Sequence, residues 1–436
     1  MESKLSDYMP ITGTGVINEL RLLCERLAGT RVLNVNSTRT GGGVAEILNR
    51  LVPLLQEVGI DAQWHVIYGT EDFFALTKDL HNALHGKPVV FTSEQREIYN
   101  AITESNLARI PLDVDIAFIH DPQPAGLVRV REEYNNKWIW RCHIDVSAPA
   151  PGSWEFIAPL VERYDLSVFS APQFARPLNM PQVLIAPSID PLSDKNRELT
   201  TGEIESVLTR LWIRSDKPIV TQISRFDRLK DPLGVLEASR MARGRVDCQL
   251  ILVGGGANDD PEGAQVVAEV RERAGNDADV HILELPPTSH LEINAIQRAS
   301  SVVIQKSIKE GFGLTVSEAL WKSKPVIASA VGGIPLQVTH KYSGILVHTV
   351  EGTAFWIKQL LSAPEFAQKL GEKRPQARTR QLPAHSTYAR LPVGVSVPSP
   401  STRRRRHTLV AQCIGPPSGT QRSLLPASSL RTGMPH

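Results

Sequence analysis

Short apolar runs recur along this chain, and between them apolar side chains return at three- and four-residue intervals. In the first half the runs are Val32-Leu33-Asn34-Val35, Ile116-Ala117-Phe118-Ile119, Trp138-Ile139-Trp140-Arg141-Cys142, Leu166-Ser167-Val168-Phe169 and Val183-Leu184-Ile185-Ala186. Strands alternating with amphipathic helices predict a parallel sheet covered on both faces. A proline-marked crossing, Pro187-Ser188-Ile189-Asp190-Pro191, interrupts the series. It restarts with Pro218-Ile219-Val220-Thr221-Gln222-Ile223 and Cys248-Gln249-Leu250-Ile251-Leu252-Val253-Gly254. Val280-His281-Ile282-Leu283, residues 301–305 and Pro325-Val326-Ile327-Ala328 complete it. The expected fold is α/β, with two doubly wound domains over residues 1–190 and 191–372 facing one central cleft. Ligands of such sheets bind beyond the carboxyl ends of the strands.

The last part of the chain breaks this pattern. After Glu372 there is no Asp or Glu, Lys and Arg total 11, Pro and Ser are dense, and Arg403 to Arg406 form a basic run. The whole chain carries a formal charge of +2, so the mild basicity belongs to this tail and the rest is net acidic. Such composition predicts an irregular, disordered basic tail over residues 373–436. Without interleaved aromatics or a folded module, the run does not make nucleic acid an expected partner.

The other bounds are simple. A chain of 436 residues accommodates two domains of ordinary size. A hydrophobic share of 42% and a charged share of 22% are those of a soluble globular protein. No apolar run approaches the roughly 18 residues of a membrane span, and Met1-Glu2-Ser3-Lys4 opens no secretory signal. A cytoplasmic location is therefore expected. The four cysteines, Cys24, Cys142, Cys248 and Cys413, have no paired spacing, so neither a disulfide framework nor a zinc site is expected, and the first three are read as buried thiols.

Candidate chemistry concentrates after the strands. Lys309-Glu310-Gly311-Phe312-Gly313-Leu314-Thr315-Val316-Ser317-Glu318 places two carboxylates eight residues apart around a glycine-bearing turn. The turn opens a helix expected over residues 315–322, so Glu310 falls on the loop and Glu318 on the helix. Free amides lie between them at the helix's positive end. The alternative is a solvated helix start, where acidic residues are favourable anyway. In the first half, Asn36 to Glu46 follows a strand and opens a helix through Gly41-Gly42-Gly43. Glycines there let backbone amides approach an anion, whereas the G-x-G-x-x-G register of dinucleotide enzymes does not fit. Arg225 and Lys230, after another strand, would meet the charge of a diphosphate at the cleft mouth. His120 and Asp121, and His143 and Asp145, end two further strands and are candidates for sugar hydroxyls. His65, His81 and His281 belong to no constellation.

The carboxylate spacing resembles the E-x7-E element of retaining glycosyltransferases built from two Rossmann-like domains. More specific segments resemble the trehalose-forming glycosyltransferases of glycosyltransferase family 4, the trehalose synthases of the glycosyltransferring type. These are Val35-Asn36-Ser37-Thr38 with Gly41 to Glu46, Phe73-Phe74 with Thr77-Lys78, and His81-Asn82-Ala83-Leu84. His120-Asp121-Pro122-Gln123, Trp140 to Asp145, Pro187 to Leu192, Gln305-Lys306-Ser307 and Val331 to Gln337 continue the likeness, which runs from about residue 5 to about residue 372.

The resemblance implies the GT-B fold, with an acceptor-side first domain and a nucleotide-sugar-binding second domain. It implies transfer of glucose from ADP-, UDP- or GDP-glucose to glucose, giving α,α-trehalose with retention. Gly42 and Gly43 would then contact the diphosphate or donor sugar, Arg225 and Lys230 the diphosphate, Glu318 the ribose, and His143 and Glu310 the donor glucose. The amides of Phe312, Gly313 and Leu314 would fix the donor. No tightly bound cofactor is implied; magnesium would at most assist from solution, and a homodimer is expected by resemblance alone. The tail departs from the family's usual terminal helix, and a frameshift or replaced terminus just after Lys373 is expected. Competing readings are a trehalose phosphorylase, a catalytically silent homologue and, against the family-specific segments, a sugar-nucleotide epimerase.

Overall fold

The computed structural model describes residues 4–40, 42–255 and 262–373. Gly41, Cys413 and the basic tail expected to be disordered or altered after Lys373 lie outside the described residues.

Twelve strands form two six-stranded parallel sheets. The first contains β1 (Arg31–Asn36), β2 (Asp61–Val66), β3 (Ile116–His120), β4 (Lys137–Cys142), β5 (Leu166–Phe169) and β6 (Gln182–Leu184), in the order β2-β1-β3-β4-β5-β6. The second contains β7 (Ile219–Ile223), β8 (Gln249–Gly254), β9 (Val280–Glu284), β10 (Val302–Gln305), β11 (Val326–Ser329) and β12 (Ile345–Val347), in the order β12-β11-β10-β7-β8-β9. Helices cover both faces, which is why the central strands are apolar on successive residues. In β8, Leu250 and Leu252 pack into one buried cluster while Ile251 and Val253 pack into another on the opposite face. Leu33 and Val35 of β1 divide from Val32 in the same manner.

Strand order reverses between β1 and β3 in the first sheet and between β7 and β10 in the second. At each reversal the following loops part in opposite directions and leave a crevice beyond the strand ends. The loops carrying Gly42, Arg225 and Glu310 follow β1, β7 and β10. The topology therefore brings the candidate loops to the two switch points.

β2 and β12 were not foreseen from the apolar runs. β2 is an edge strand with Asp61 and Gln63 exposed, and β12 has only three residues. Cys142 and Cys248 are buried as expected, but Cys24 is only partly covered, being on a helix that lies against the sheet. The crossing segment is tied to the first half by Tyr8, whose hydroxyl donates to Asp190 Oδ1 at 2.9 Å, and by Arg50 Nε at 2.7 Å from Asp190 Oδ2. Farther on, Asn294 Nδ2 donates to the Asp194 and Arg197 carbonyls, each at 2.8 Å, and fixes this stretch to the second half. No helix among the described residues is long and apolar enough to cross a membrane.

Candidate active site

In the first half, the turn after β1 is organised by Asn36. Its Oδ1 accepts from Trp64 Nε1 at 2.8 Å and its Nδ2 donates to the Thr38 carbonyl at 2.8 Å. The chain then enters the helix Gly43–Glu57 through an extended Gly42 that supplies no capping side chain. Its first amides are available to an anion. A Cβ added to Gly43 would meet the Leu314 side chain at 3.1 Å, so the start of this helix faces the start of Leu314–Trp321 in the other half.

The neighbouring strand ends supply His120, Asp121 and His143. Asp121 adopts a left-handed backbone with φ 65°, which an aspartate tolerates better than most residues. Its Oδ1 accepts from the His143 amide at 2.7 Å and fixes that loop. His120 Nδ1 lies 3.1 Å from His143 Nε2. Burial pushes His120 down to about 3 and His143 well below the ordinary imidazole range, with Arg141 adding to both effects. Both rings are neutral at physiological pH.

From the second half, Glu310 follows β10 on a loop pressed against His143. A Cβ on Gly311 would lie 2.3 Å from the His143 carbonyl oxygen, so only glycine permits this approach. Glu310 Oε2 accepts from Lys230 Nζ at 2.7 Å, Ser307 Oγ at 3.0 Å and Gln305 Nε2 at 3.1 Å. Burial alone would raise this carboxyl, but Lys230 and the hydrogen bonds outweigh it and hold Glu310 below its ordinary value. Glu318, on the helix, is 1% exposed and accepts from Lys195 at 3.0 Å and from Gln297 at 2.9 Å. Against the upward push of burial, Lys195 and Lys322 keep it below its ordinary value as well.

These groups surround one cavity of about 640 Å³ between the two sheets, a size suited to a small-molecule ligand. Glu310, Glu318, Arg225, Lys230, His120, Asp121, His143, Gly42, Gly43, Phe312, Gly313 and Leu314 all line it. Asp145 is not among the lining residues. It is buried, and its Oδ1 accepts from the amide and hydroxyl of Ser147 at 3.0 and 2.6 Å, closing the loop after β4. The possible sugar contact at Asp145 is thus replaced in this geometry by a turn-forming role.

Several lining residues escaped sequence reasoning. Lys78 Nζ crosses the cleft to Asp227 Oδ2 at 2.7 Å and lies 3.6 Å from Glu262. Burial would raise Asp227, but Lys78, followed by Arg225 and Lys230, drives it below the ordinary carboxylate range. Lys195 sits between Glu46 at 2.9 Å and Glu318 at 3.0 Å. The His81 and His85 rings lie 4.5 Å apart between centres, tilted by 48°, and His85 Nδ1 lies 3.0 Å from the His81 carbonyl oxygen. His81 and His85, four residues apart at the end of the helix Glu71–Leu84, were the available signal; Lys78 was marked only by its place in a family-like segment and Lys195 by nothing, because their partners Asp227 and Glu46 are each 149 residues away. Among the described residues no group of three or more His, Cys, Asp or Glu is placed to hold a metal ion.

The arrangement offers an anion two helix starts and two cations, and offers a polyhydroxylated ligand carboxylates and neutral imidazoles. Comparison with known proteins points the same way. The family described as "Trehalose synthase, N-terminal domain" matches residues 34–176, and "Glycosyl transferases group 1" matches residues 208–377. A trehalose synthase from Pyrococcus horikoshii is 44% identical over 376 residues, covering 85% of this chain and 90% of that protein. A trehalose phosphorylase from Pleurotus pulmonarius is more distant, 28% identical over 400 residues that cover 78% of this chain and 54% of that protein. In fold, the chain resembles HepE from Anabaena, solved in complex with UDP and glucose. The TM-score is 0.61 at 15% identity, covering 83% of this chain and 98% of that one.

Proposed function

The chain belongs to the trehalose synthase family of glycosyltransferases, and from that premise we propose that it transfers glucose from a nucleoside-diphosphate glucose to free glucose, forming α,α-trehalose with retention at the donor carbon. Its two facing parallel sheets are those of the GT-B fold. The domain boundary belongs at residues 190–191, within the crossing segment. The observation that carries the reading is the convergence of Arg225, Lys230 and two facing helix starts on a cavity that also holds Glu310 and Glu318.

Each group then has a task. Arg225, Lys230 and the amides after Gly42 neutralise the diphosphate, with Phe312, Gly313 and Leu314 adding amides from the opposite side. Glu318 accepts ribose hydroxyls, for which it must exchange part of its contact with Lys195. Glu310 and His143 hold the donor glucose. The bond from the anomeric carbon to the phosphate oxygen breaks as the acceptor oxygen bonds to the same face of that carbon. The acceptor's hydroxyl proton passes to the departing phosphate oxygen. Electrostatic preorganisation of the leaving group is the main service such a site provides. It needs no protein nucleophile, and none is assigned.

The test is chromatographic detection of trehalose from glucose incubated with ADP-, UDP- or GDP-glucose, beside an incubation of trehalose with inorganic phosphate. Trehalose formed only with a nucleotide-glucose supports the proposal and names the base. Glucose 1-phosphate released from trehalose and phosphate without nucleotide would replace it with the phosphorylase reading. Absence of product in every mixture, with the chain folded, would favour a silent homologue.

A further inference from the structure

The hydrogen bonds behind His143 form a line across three neighbouring strands. Asn34 lies on β1, His120 at the end of β3, and His143 just after β4, and these strands are adjacent in the order β1-β3-β4. Asn34 is fully buried and His120 is 4% exposed. His120 Nε2 lies 3.2 Å from Asn34 Oδ1, and His120 Nδ1 lies 3.1 Å from His143 Nε2. At the far end, Asn34 Nδ2 donates to the Gln63 carbonyl on β2 at 3.4 Å. The chain therefore begins at a fixed point, since reversing the amide would set Oδ1 against a carbonyl oxygen.

Proton positions follow in sequence. An oxygen at Asn34 Oδ1 can only accept, so His120 carries its proton on Nε2. A neutral imidazole has one proton, so His120 Nδ1 is bare and accepts. The group facing it, His143 Nε2, must donate. We infer that Asn34 is a positioning residue that, through His120, fixes His143 as the Nε2-protonated tautomer and presents His143 Nδ1 to the cavity as a hydrogen-bond acceptor. Burial keeps both rings neutral, so the sequence of protons is stable at physiological pH.

The ligand side of this inference rests on the function proposed above. A bare Nδ1 requires a hydroxyl that donates. A sugar whose matching hydroxyl is replaced by fluorine, which only accepts, would lose this contact, whereas a ring able to donate from Nδ1 would keep it. His143 thus selects for an intact hydroxyl and supplies no proton to the reaction.

The experiment is a long-range proton–nitrogen correlation spectrum of the full chain labelled with ¹⁵N-histidine, with His143 assigned by its absence in His143→Gln. The wild type is expected to show His143 protonated on Nε2 only. In Asn34→Leu, which keeps the bulk and removes the acceptor, His143 is expected to populate both tautomers, with kcat/KM reduced about tenfold. A wild-type spectrum with the proton on Nδ1, or an Asn34→Leu spectrum unchanged from wild type, would overturn the inference. A correct spectrum in a chain that transfers no glucose would instead refute the functional reading and leave the proton assignment standing.

Discussion

Glu310 has three donors on Oε2 and the cavity beside it. Its position is fixed before any ligand arrives, which is what a group aimed at a developing charge requires. Glu310→Gln is expected to lower kcat on the order of 10²-fold with a much smaller change in donor KM, measured by initial rates at saturating glucose. Acid should expose the same chemistry through stability. Glu310 and Glu318 are both held below the ordinary carboxyl value in the folded chain, so their stabilisation is present above the unfolded value and is lost as pH falls through the folded one. A melting temperature that declines from about pH 5 downward is expected, with a shallower decline in Glu318→Gln; identical acid limbs in the two proteins would contradict it. Both carboxylates could be picked out in the sequence because their spacing straddles a glycine turn. Lys78, Asp227 and Lys195 could not, because each owes its importance to a partner brought close only by folding.

At the scale of elements, the central strands were legible because burial on both faces writes an unbroken apolar run. β2 was hidden because Asp61-Ala62-Gln63-Trp64-His65-Val66 mixes exposed and covered positions at a sheet edge, and β12 is too short to carry a pattern. The loops were readable as glycine-rich turns, but not the reason for each glycine. Gly332, with φ 53°, passes so close to Glu310 that a Cβ would overlap the Glu310 carbonyl oxygen at 1.6 Å. Gly311 meets the other half of the molecule. Gly311→Ala is therefore expected to push the Glu310 loop away from His143 and reduce kcat/KM about 100-fold, since displacements of this kind are costly far beyond their size. Near-wild-type melting with lost turnover would support this, while unchanged turnover would show that the loop accommodates the methyl group.

Across the whole molecule, the halves are joined by buried charge as well as by chain. Lys78 is 9% exposed and Asp227 1% exposed, so removing one partner leaves the other desolvated. Lys78→Met is expected to destabilise the chain by about 3 kcal/mol, read as a lower urea midpoint. Lys78→Met with Asp227→Leu should recover part of this loss, because it removes the nearly fully buried carboxylate that the single change strands, leaving only the more exposed Glu262 without Lys78. The two-sheet plan was visible in the restart of the strand series after Pro191. The ion pairs that fasten the two halves were not, because charge complementarity between distant segments leaves no local mark.

Lys195 lies on the segment that leaves the crossing and touches Glu46 from one half and Glu318 from the other. Recombining halves from related proteins is therefore not a matter of choosing a seam in a passive linker. A chimera that inherits Lys195 from one parent and Glu46 or Glu318 from another risks a stranded carboxylate at the site proposed to take the ribose. The unit of exchange is the trio, and shuffled libraries that keep it intact should yield a larger share of nucleotide-binding clones than libraries that split it.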